Sequence, residues 1–410
     1  MRKSSFHFLI IFLLLFLTTQ AQAQLTQSLW RGSLKTSSGN EIPFNFITDN
    51  SSGKTQVTIL NGIERFKVTD VKAKGDSVFI KMPLFNSEFK LKLAGGNLQG
   101  KWIKHLGDSD ALMDFSATPN TLRRFFNQIE KTSFNVTGRW SAVFDSNGRK
   151  DTTVGEFKQI GAKLTGTFLT TTGDYRYLEG VVTGSKLYLS TFDGGHAFLF
   201  TADIADNHTI TNGKFYSGLS GLDTWTAVKN EKAELPDAYS LTYLKPGLKT
   251  IAFTFKDING KPVSLSDARF KNKVVIIQIM GSWCPNCMDE TAYLINYYKK
   301  YHPKGVEIVG LAYERTTDFA KSQETLQQLK SHYNIPYPLL ITGYTPGRGD
   351  PQKSLPMLAD FKGFPTTIII DKKGEVTKIH TGFSGPGTGK HYTEFVNEFE
   401  KLTDNLLAEK

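Results

Sequence analysis

From Gln24 to about Asn230 apolar and polar residues alternate in short runs, among them Val57-Thr58-Ile59-Leu60, Ser77-Val78-Phe79-Ile80-Lys81, Phe89-Lys90-Leu91-Lys92-Leu93, Lys186-Leu187-Tyr188-Leu189-Ser190 and Ala197-Phe198-Leu199-Phe200-Thr201. A period of two marks a strand with one buried face. Glycine and asparagine turns punctuate the runs at intervals of about ten residues, the spacing of an antiparallel meander. A helical period occurs only around Leu122 to Ile129.

The meander reads as a duplication. Gly75-Asp76-Ser77-Val78-Phe79-Ile80, Phe89-Lys90-Leu91 and Gly100-Lys101-Trp102 parallel Gly184-Ser185-Lys186-Leu187-Tyr188-Leu189, Phe198-Leu199-Phe200 and Gly213-Lys214-Phe215 at offsets of 109 to 113 residues, and Trp30 faces Trp140 near the start of each half. Two related β-modules are predicted, 24–120 and 134–230, joined by the Thr121 to Thr132 segment. Each is expected to be barrel-like or a sandwich, because closure removes exposed strand edges. The tryptophans are read as core.

Past a polar linker at 231–248 containing Pro236 and Pro246, the pattern changes. Ile251 to Phe255 and Pro262 to Leu265 flank Asn259-Gly260, a hairpin signal. Val274 to Met280 is a nearly continuous apolar run, which suits a central strand covered on both faces. Cys287, Glu290, Leu294, Tyr298 and Tyr301 then recur at steps of three and four, one face of a helix. Val306 to Ala312 is a second buried strand, Asp318 to Lys330 helical, Tyr337 to Ile341 a short strand and Leu355 to Phe361 a short helix. Thr366 to Asp371 with Glu375 to Thr381 form a hairpin, and His391 to Leu407 a last helix. Alternating strands and helices predict an α/β domain over 249–408 with a mostly parallel sheet.

Residues 1–23 have the pattern of a secretory signal: Arg2 and Lys3, an apolar run from Phe6 to Leu17, then Ala21-Gln22-Ala23. The run falls short of the ~20 residues that span a bilayer, and an uncleaved membrane anchor is the rival reading. Export predicts a periplasmic protein with no stable membrane insertion after cleavage. The length of 410 residues calls for more than one core. The net charge of +10 is scattered, without a basic run or interleaved aromatic stripe, so nucleic-acid binding is excluded.

The chain's two cysteines both lie in Gly281-Ser282-Trp283-Cys284-Pro285-Asn286-Cys287, where the central strand meets the helix. An exported chain with no other cysteine has no structural disulfide to protect, and this pair is free to cycle. At a helix N-terminus Cys284 is favoured as thiolate, which makes it the nucleophile. Cys287, one turn in, is shielded and resolves the mixed disulfide. Glu290 shares the face of Cys287, and a desolvated carboxyl there can pass a proton to or from its sulfur. Half a zinc site is the bland alternative, but zinc wants four ligands and no second cysteine pair exists. The Gly-rich Ser384 to Gly389 segment fails as a phosphate loop, since His391 follows Lys390 where Ser or Thr is needed, and is read as a flexible wall of the substrate groove.

Residues 249–408 resemble the TlpA/ResA-type exported thioredoxin-like oxidoreductases. The resemblance rests on Trp283-Cys284-Pro285-Asn286-Cys287, on Glu290 at the position of that family's buried acid, on Gly363-Phe364-Pro365-Thr366-Thr367 as its cis-proline loop, and on Asp257 to Lys261 and Asp371 to Gly374 as its turns. Gln278 and Met280 depart from it, and 342–354 look inserted. The resemblance implies a Cys284-Cys287 redox disulfide, a docking surface made by Trp283, Pro285, Phe364, Pro365 and Thr366, protein thiols and disulfides as substrates, and an electron-donor partner in the membrane or periplasm. The chain is read as an exported thiol-disulfide oxidoreductase, acting as a reductase and needing neither metal nor organic cofactor. Two rivals come from other classes. A peroxiredoxin-like thiol peroxidase would place threonine where Gly281 stands, and a β-domain binding protein would carry the redox domain as an accessory.

Overall fold

The computed structural model describes residues 25–107 and 109–409, so the signal-like segment lies outside the described residues. Nine strands between Ser28 and Pro119 form one antiparallel sheet in which the first strand, Ser28–Lys35, pairs with Glu41–Asp49 on one side and the last strand, Asp110–Pro119, on the other. Its two outer strands, Glu64–Val68 and Asp70–Lys74, are adjacent in sequence, so the sheet curls into a barrel-like shape. Alternation does the sorting. In Ser77–Lys81, Val78 and Ile80 go inside while Phe79 and Lys81 stay out. The interior is filled by Trp30, Phe44, Phe46, Phe89, Trp102 and Phe115, with Trp30 Nε1 donating to Thr48 Oγ1 at 2.9 Å.

The second sheet repeats the plan. Gly138–Ser146 pairs with Arg149–Ile160 and with the last strand, Gly221–Lys229. Here Arg149–Ile160 also pairs with Lys163–Thr170, which closes the ring through Leu178–Thr183, Lys186–Phe192, Ala197–Asp206 and Thr209–Ser217. Phe144, Phe168, Phe200, Phe215 and Trp225 fill it ring against ring, Phe200 stacking on Phe215 at 4.4 Å. The barrels are fused rather than strung out. Phe192, Ala197, Leu199 and Tyr216 of the second complete the core of the first, and Phe44 stacks on Phe192 at 4.5 Å.

The segment around Leu122 to Ile129 is neither helix nor strand. Its helical spacing serves packing instead, since Phe125 and Phe126 both lie against Tyr188. Between them Arg124 is buried, donating to Ser190 O (3.0 Å) and Leu60 O and lying 3.6 Å from Glu179, so it ties both barrels together.

The C-terminal part is a thioredoxin-like α/β domain. Its seven-stranded sheet runs Pro262–Ser264, Thr254–Asp257, Leu339–Ile341, Val306–Ala312, Val274–Met280, Thr366–Ile370, Val376–Thr381, and it is mixed rather than mostly parallel: only the middle three strands are parallel, because hairpins and the edge strand add the rest antiparallel. Val274–Met280 sends Val274, Ile276 and Met280 to one face and Val275, Ile277 and Ile279 to the other. The first face is covered by helices α1 (Pro285–Tyr301), α2 (Phe319–Tyr333) and α4 (Lys390–Ala408). The short helix falls at α3 (Asp350–Ser354), not at Leu355 to Phe361, where Leu358–Asp360 is a strand paired with Tyr243–Leu244. Leu355 and Leu358 are buried three residues apart, which mimics a helical step. That pairing holds 231–248 against the domain, with Thr381 Oγ1 donating to the buried Thr242 Oγ1 at 2.8 Å.

Candidate functional site

The site forms where Val274–Met280 ends and α1 begins. Cys284 is the residue before the helix, in extended conformation (φ −102°, ψ 115°), and its sulfur accepts the Cys287 N–H at 3.3 Å. It caps the helix in the manner of a serine or aspartate, which puts the thiol among otherwise unpaired N–H groups. Pro285 occupies the first helical position, where its missing N–H costs nothing. Both cysteines are free thiols. Cys287 is fully buried, and burial together with its hydrogen bond to Cys284 and the charge there pushes its thiol well above the usual range.

Two residues fix the loop ahead of Cys284. Buried Glu314 accepts from the Ser282 backbone N–H (2.8 Å) and hydroxyl (2.6 Å). Trp283 donates Nε1 to Tyr313 O at 2.8 Å, packs edge-on to Phe364 at 5.4 Å and carries the Arg315 guanidinium 5.1 Å above its ring. Gly281 lacks a side chain because a Cβ there would lie 2.1 Å from Trp283 Nε1.

Glu290, one turn beyond Cys287, is buried beneath the sheet. Its carboxylate accepts from Thr367 Oγ1 (2.5 Å) and Gln278 Nε2 (2.8 Å). Burial pushes its pKa up to about 7, against the pull of those two donors. Gln278 also donates to Cys287 O (3.2 Å) and accepts from Thr291 (3.1 Å), so it links the Cys287 backbone to Glu290. The sequence pattern does not assign Gln278 or Thr367 to the site. The signal for Gln278 was an amide in an otherwise apolar buried strand.

The Phe364–Pro365 peptide bond is cis. Pro365 O accepts from Gly382 N at 2.8 Å, and Phe364 packs against Trp283, Tyr313 and Phe361. Thr366 is fully buried and donates its hydroxyl to Gly363 O at 2.7 Å, so its side chain holds the loop and faces no groove.

The sequence does not announce what lies over this surface. Arg176 of the second barrel donates to Asp289 (2.8 Å), to Glu64 of the first barrel (2.5 Å) and to Pro285 O (3.4 Å). Asp174 accepts the Gly385 N–H at 2.7 Å, so the glycine-rich segment is a docked wall, not a loose one. Burial and the carboxylates of Asp174, Glu64 and Asp193 push Asp289 up to about 7 despite Arg176. Phe85, Asn86, Lys104 and His105 of the first barrel face Ser282, Trp283, Glu314 and Arg315 across a cleft of about 240 Å³. Cys284 is left only 5% exposed.

Residues 245–394 match the Redoxin family. The chain is 30% identical over 130 residues to the thiol-disulfide oxidoreductase ResA of Bacillus subtilis, covering 32% of this chain and 64% of that one. It is 27% identical over 139 residues to the thioredoxin-like protein YneN of the same organism, covering 34% and 73%. It thus spans slightly under two thirds of the length of ResA. Among solved structures it is similar to the thioredoxin domain of a Bacteroides vulgatus thiol-disulfide oxidoreductase, at 25% identity and a TM-score of 0.29, covering 38% of this chain and 99% of that one.

Proposed function

We propose that the protein is an exported, periplasmic thiol-disulfide oxidoreductase that reduces disulfides of partner proteins through Cys284 and Cys287. In this reading 1–23 is the cleaved signal, 24–120 and 134–230 are the β-modules, 231–248 connects them and 249–408 is the redox domain. The observation that carries it is the pairing of a helix-capping Cys284 sulfur with a buried Cys287 one turn behind, beside a carboxyl of raised pKa.

The Cys284 thiolate attacks one sulfur of the substrate disulfide, forming a mixed disulfide and releasing the other sulfur as thiolate. Cys287 then loses its proton, with Glu290 as acceptor, and attacks Cys284 Sγ, expelling the second substrate thiolate. Two electrons pass to the substrate and the Cys284-Cys287 disulfide remains, to be reduced by a further thiol donor. Trp283, Pro285, Phe364 and Pro365 shape the surface on which the substrate docks.

The Gly281 position argues against the peroxidase reading, since a threonine there would collide with Trp283. The filled barrels argue against a ligand held inside the β half. The test is to express Cys287→Ala in the native compartment and recover what is disulfide-bonded to Cys284. Partner proteins attached through a thiol, absent from a Cys284→Ala control, are expected; an empty Cys284 in cells that retain disulfide-bearing substrates overturns the reading.

A further inference from the structure

The β half lies across the redox site in a contact that glycine makes possible. Gly173 has φ +143° and its Cα faces Asn286, so that a Cβ would stand 1.9 Å from Asn286 Nδ2 and 3.0 Å from Phe383 O. Opposite it, a Cβ at Gly363 would meet Thr172 Cγ2 at 2.5 Å, one at Gly382 the Thr172 backbone at 2.8 Å, and one at Gly387 the Arg176 backbone at 3.2 Å. At each of these points of close approach a glycine stands where an added Cβ would press on the facing surface, most rigidly at Gly382, where it would meet backbone. The positions touched are Asn286 between the cysteines, Gly363 at the head of the cis-proline loop, and the Gly382 to Gly387 wall. They ring the surface on which a substrate would dock.

A buried ion cluster fastens the turn. Arg176, at φ +57°, reaches two carboxylates on two other modules, Asp289 on α1 and Glu64 on the first barrel, while Asp174 takes the Gly385 N–H. Charge-assisted contacts of this kind are strong only when held in one geometry, as they are here, with the Arg176, Glu64 and Asp289 side chains all 15% exposed or less. On the opposite side the first barrel leaves the cleft of about 240 Å³ beside Trp283. That volume lies below the ~300 Å³ at which pockets for drug-sized ligands begin. Cys284, next to Trp283, is itself only 5% exposed, so a slender chain reaches its sulfur more readily than a folded surface does.

We propose that the turn Thr171–Arg176 is a specificity-determining wall of the substrate site, which limits Cys284 to disulfides carried on flexible, unfolded chain and keeps out disulfides set in a folded surface. This rests on the redox reading above and names its substrate class. The β half then earns its place next to the site by sieving.

The test uses the full-length reduced protein and one activated group, a thionitrobenzoate mixed disulfide, carried either on a cysteine in a short unstructured peptide or on a surface cysteine of a small, compact folded protein. Cys284 attacks the carrier's sulfur, and release of the coloured thionitrobenzoate thiolate gives the rate. Each rate is divided by that of N-acetylcysteine with the same carrier, which removes differences in intrinsic reactivity. The normalised peptide rate should exceed the folded carrier's by a hundredfold or more. In Gly173→Leu, which wedges the turn from Asn286, and in Arg176→Gln, which unfastens it, that ratio should fall at least tenfold. A wild-type ratio within threefold of one overturns the sieve even if neither variant folds. So does a high ratio that folded variants, with a cooperative thermal transition, leave unchanged. Failure of the peptide to react at all would instead strike at the redox reading itself.

Discussion

Glu290 sits where two hydrogen bonds favour its charge and burial opposes it, and burial prevails, raising its pKa from 4.5 to about 7. The folded protein therefore binds a proton that the unfolded chain has released between those two values. Stability contributed by this carboxyl is full below about pH 4.5 and is lost as pH rises through 7, a total on the order of 3 kcal/mol. Glu290→Gln should thus match the wild type near pH 4 and exceed it in denaturant unfolding near pH 8. Asp289 titrates in the same window, so the difference between the two proteins, not the wild-type slope alone, isolates Glu290. The variant should also slow resolution of the mixed disulfide by roughly 100-fold while first attack stays the same. An unchanged resolution rate and pH profile would reduce Glu290 to a packing residue.

Spacing alone brought Cys284, Cys287 and Glu290 together, because a helix face is a local property. Gln278 lies on a strand nine residues before Cys287 and meets it only through the sheet, and Arg176 comes from another module altogether. Side-chain burial also separates the two thiols. Iodoacetamide should alkylate Cys284 alone and slowly, at 5% exposure, while Cys287 at 0% stays unmodified until the protein unfolds; equal labelling in the native state, followed by peptide mapping, would undo the assigned order.

At the level of elements, period-two alternation carried the barrels and the apolar runs carried the central sheet, since both patterns record which face is buried. Pattern and element diverge where burial and backbone part company. Leu355 and Leu358 fill a core from a turn and a strand, and Phe125 and Phe126 pack from an irregular segment. Closure of the second barrel depends on backbone approach as well as pattern. At Gly180 a Cβ would lie 1.8 Å from Tyr188 O on the neighbouring strand. Gly180→Ala must therefore spread the pair Leu178–Thr183 and Lys186–Phe192. We expect a loss of ~1 to 3 kcal/mol, the usual cost of overpacking, measured as a lowered midpoint in urea. A variant as stable as the wild type would mean that the barrel relaxes there freely. Helix α2 offers a milder case. Asp318 caps it by accepting Lys321 N at 3.0 Å, and Asp318→Ala should cost about 1 kcal/mol in the same assay.

In the whole molecule, the barrels and the redox domain are joined by contacts between residues far apart in sequence, which no local pattern encodes. The first barrel borrows Phe192 from the second, and the second grips the redox domain through Arg176. Arg124 is the clearest case of such a joint. It is 5% exposed, its guanidinium donates to Ser190 O and Leu60 O from two different barrels, and Glu179 lies 3.6 Å away. Arg124→Met preserves much of the side chain's bulk but removes the donors and the charge. It takes the guanidinium donors away from the Ser190 and Leu60 carbonyls and deprives Glu179 of one of its cations, although Lys163 at 3.2 Å and the Gly62 N–H at 2.8 Å remain to it. A hydrogen bond from a charged donor is worth ~1.5 to 3 kcal/mol, and breaking a buried pair costs about 3 to 5. Because Glu179 keeps other partners, the loss should lie toward the lower part of that span, roughly 3 kcal/mol. None of Arg124's bonds reaches the redox domain. Calorimetry should therefore show an earlier transition for the β half while the redox domain unfolds near its original temperature, so that the two separate. A single transition shifted as a unit would mean that barrels and redox domain unfold as one body, the interdomain grip of Arg176 being as strong as either core.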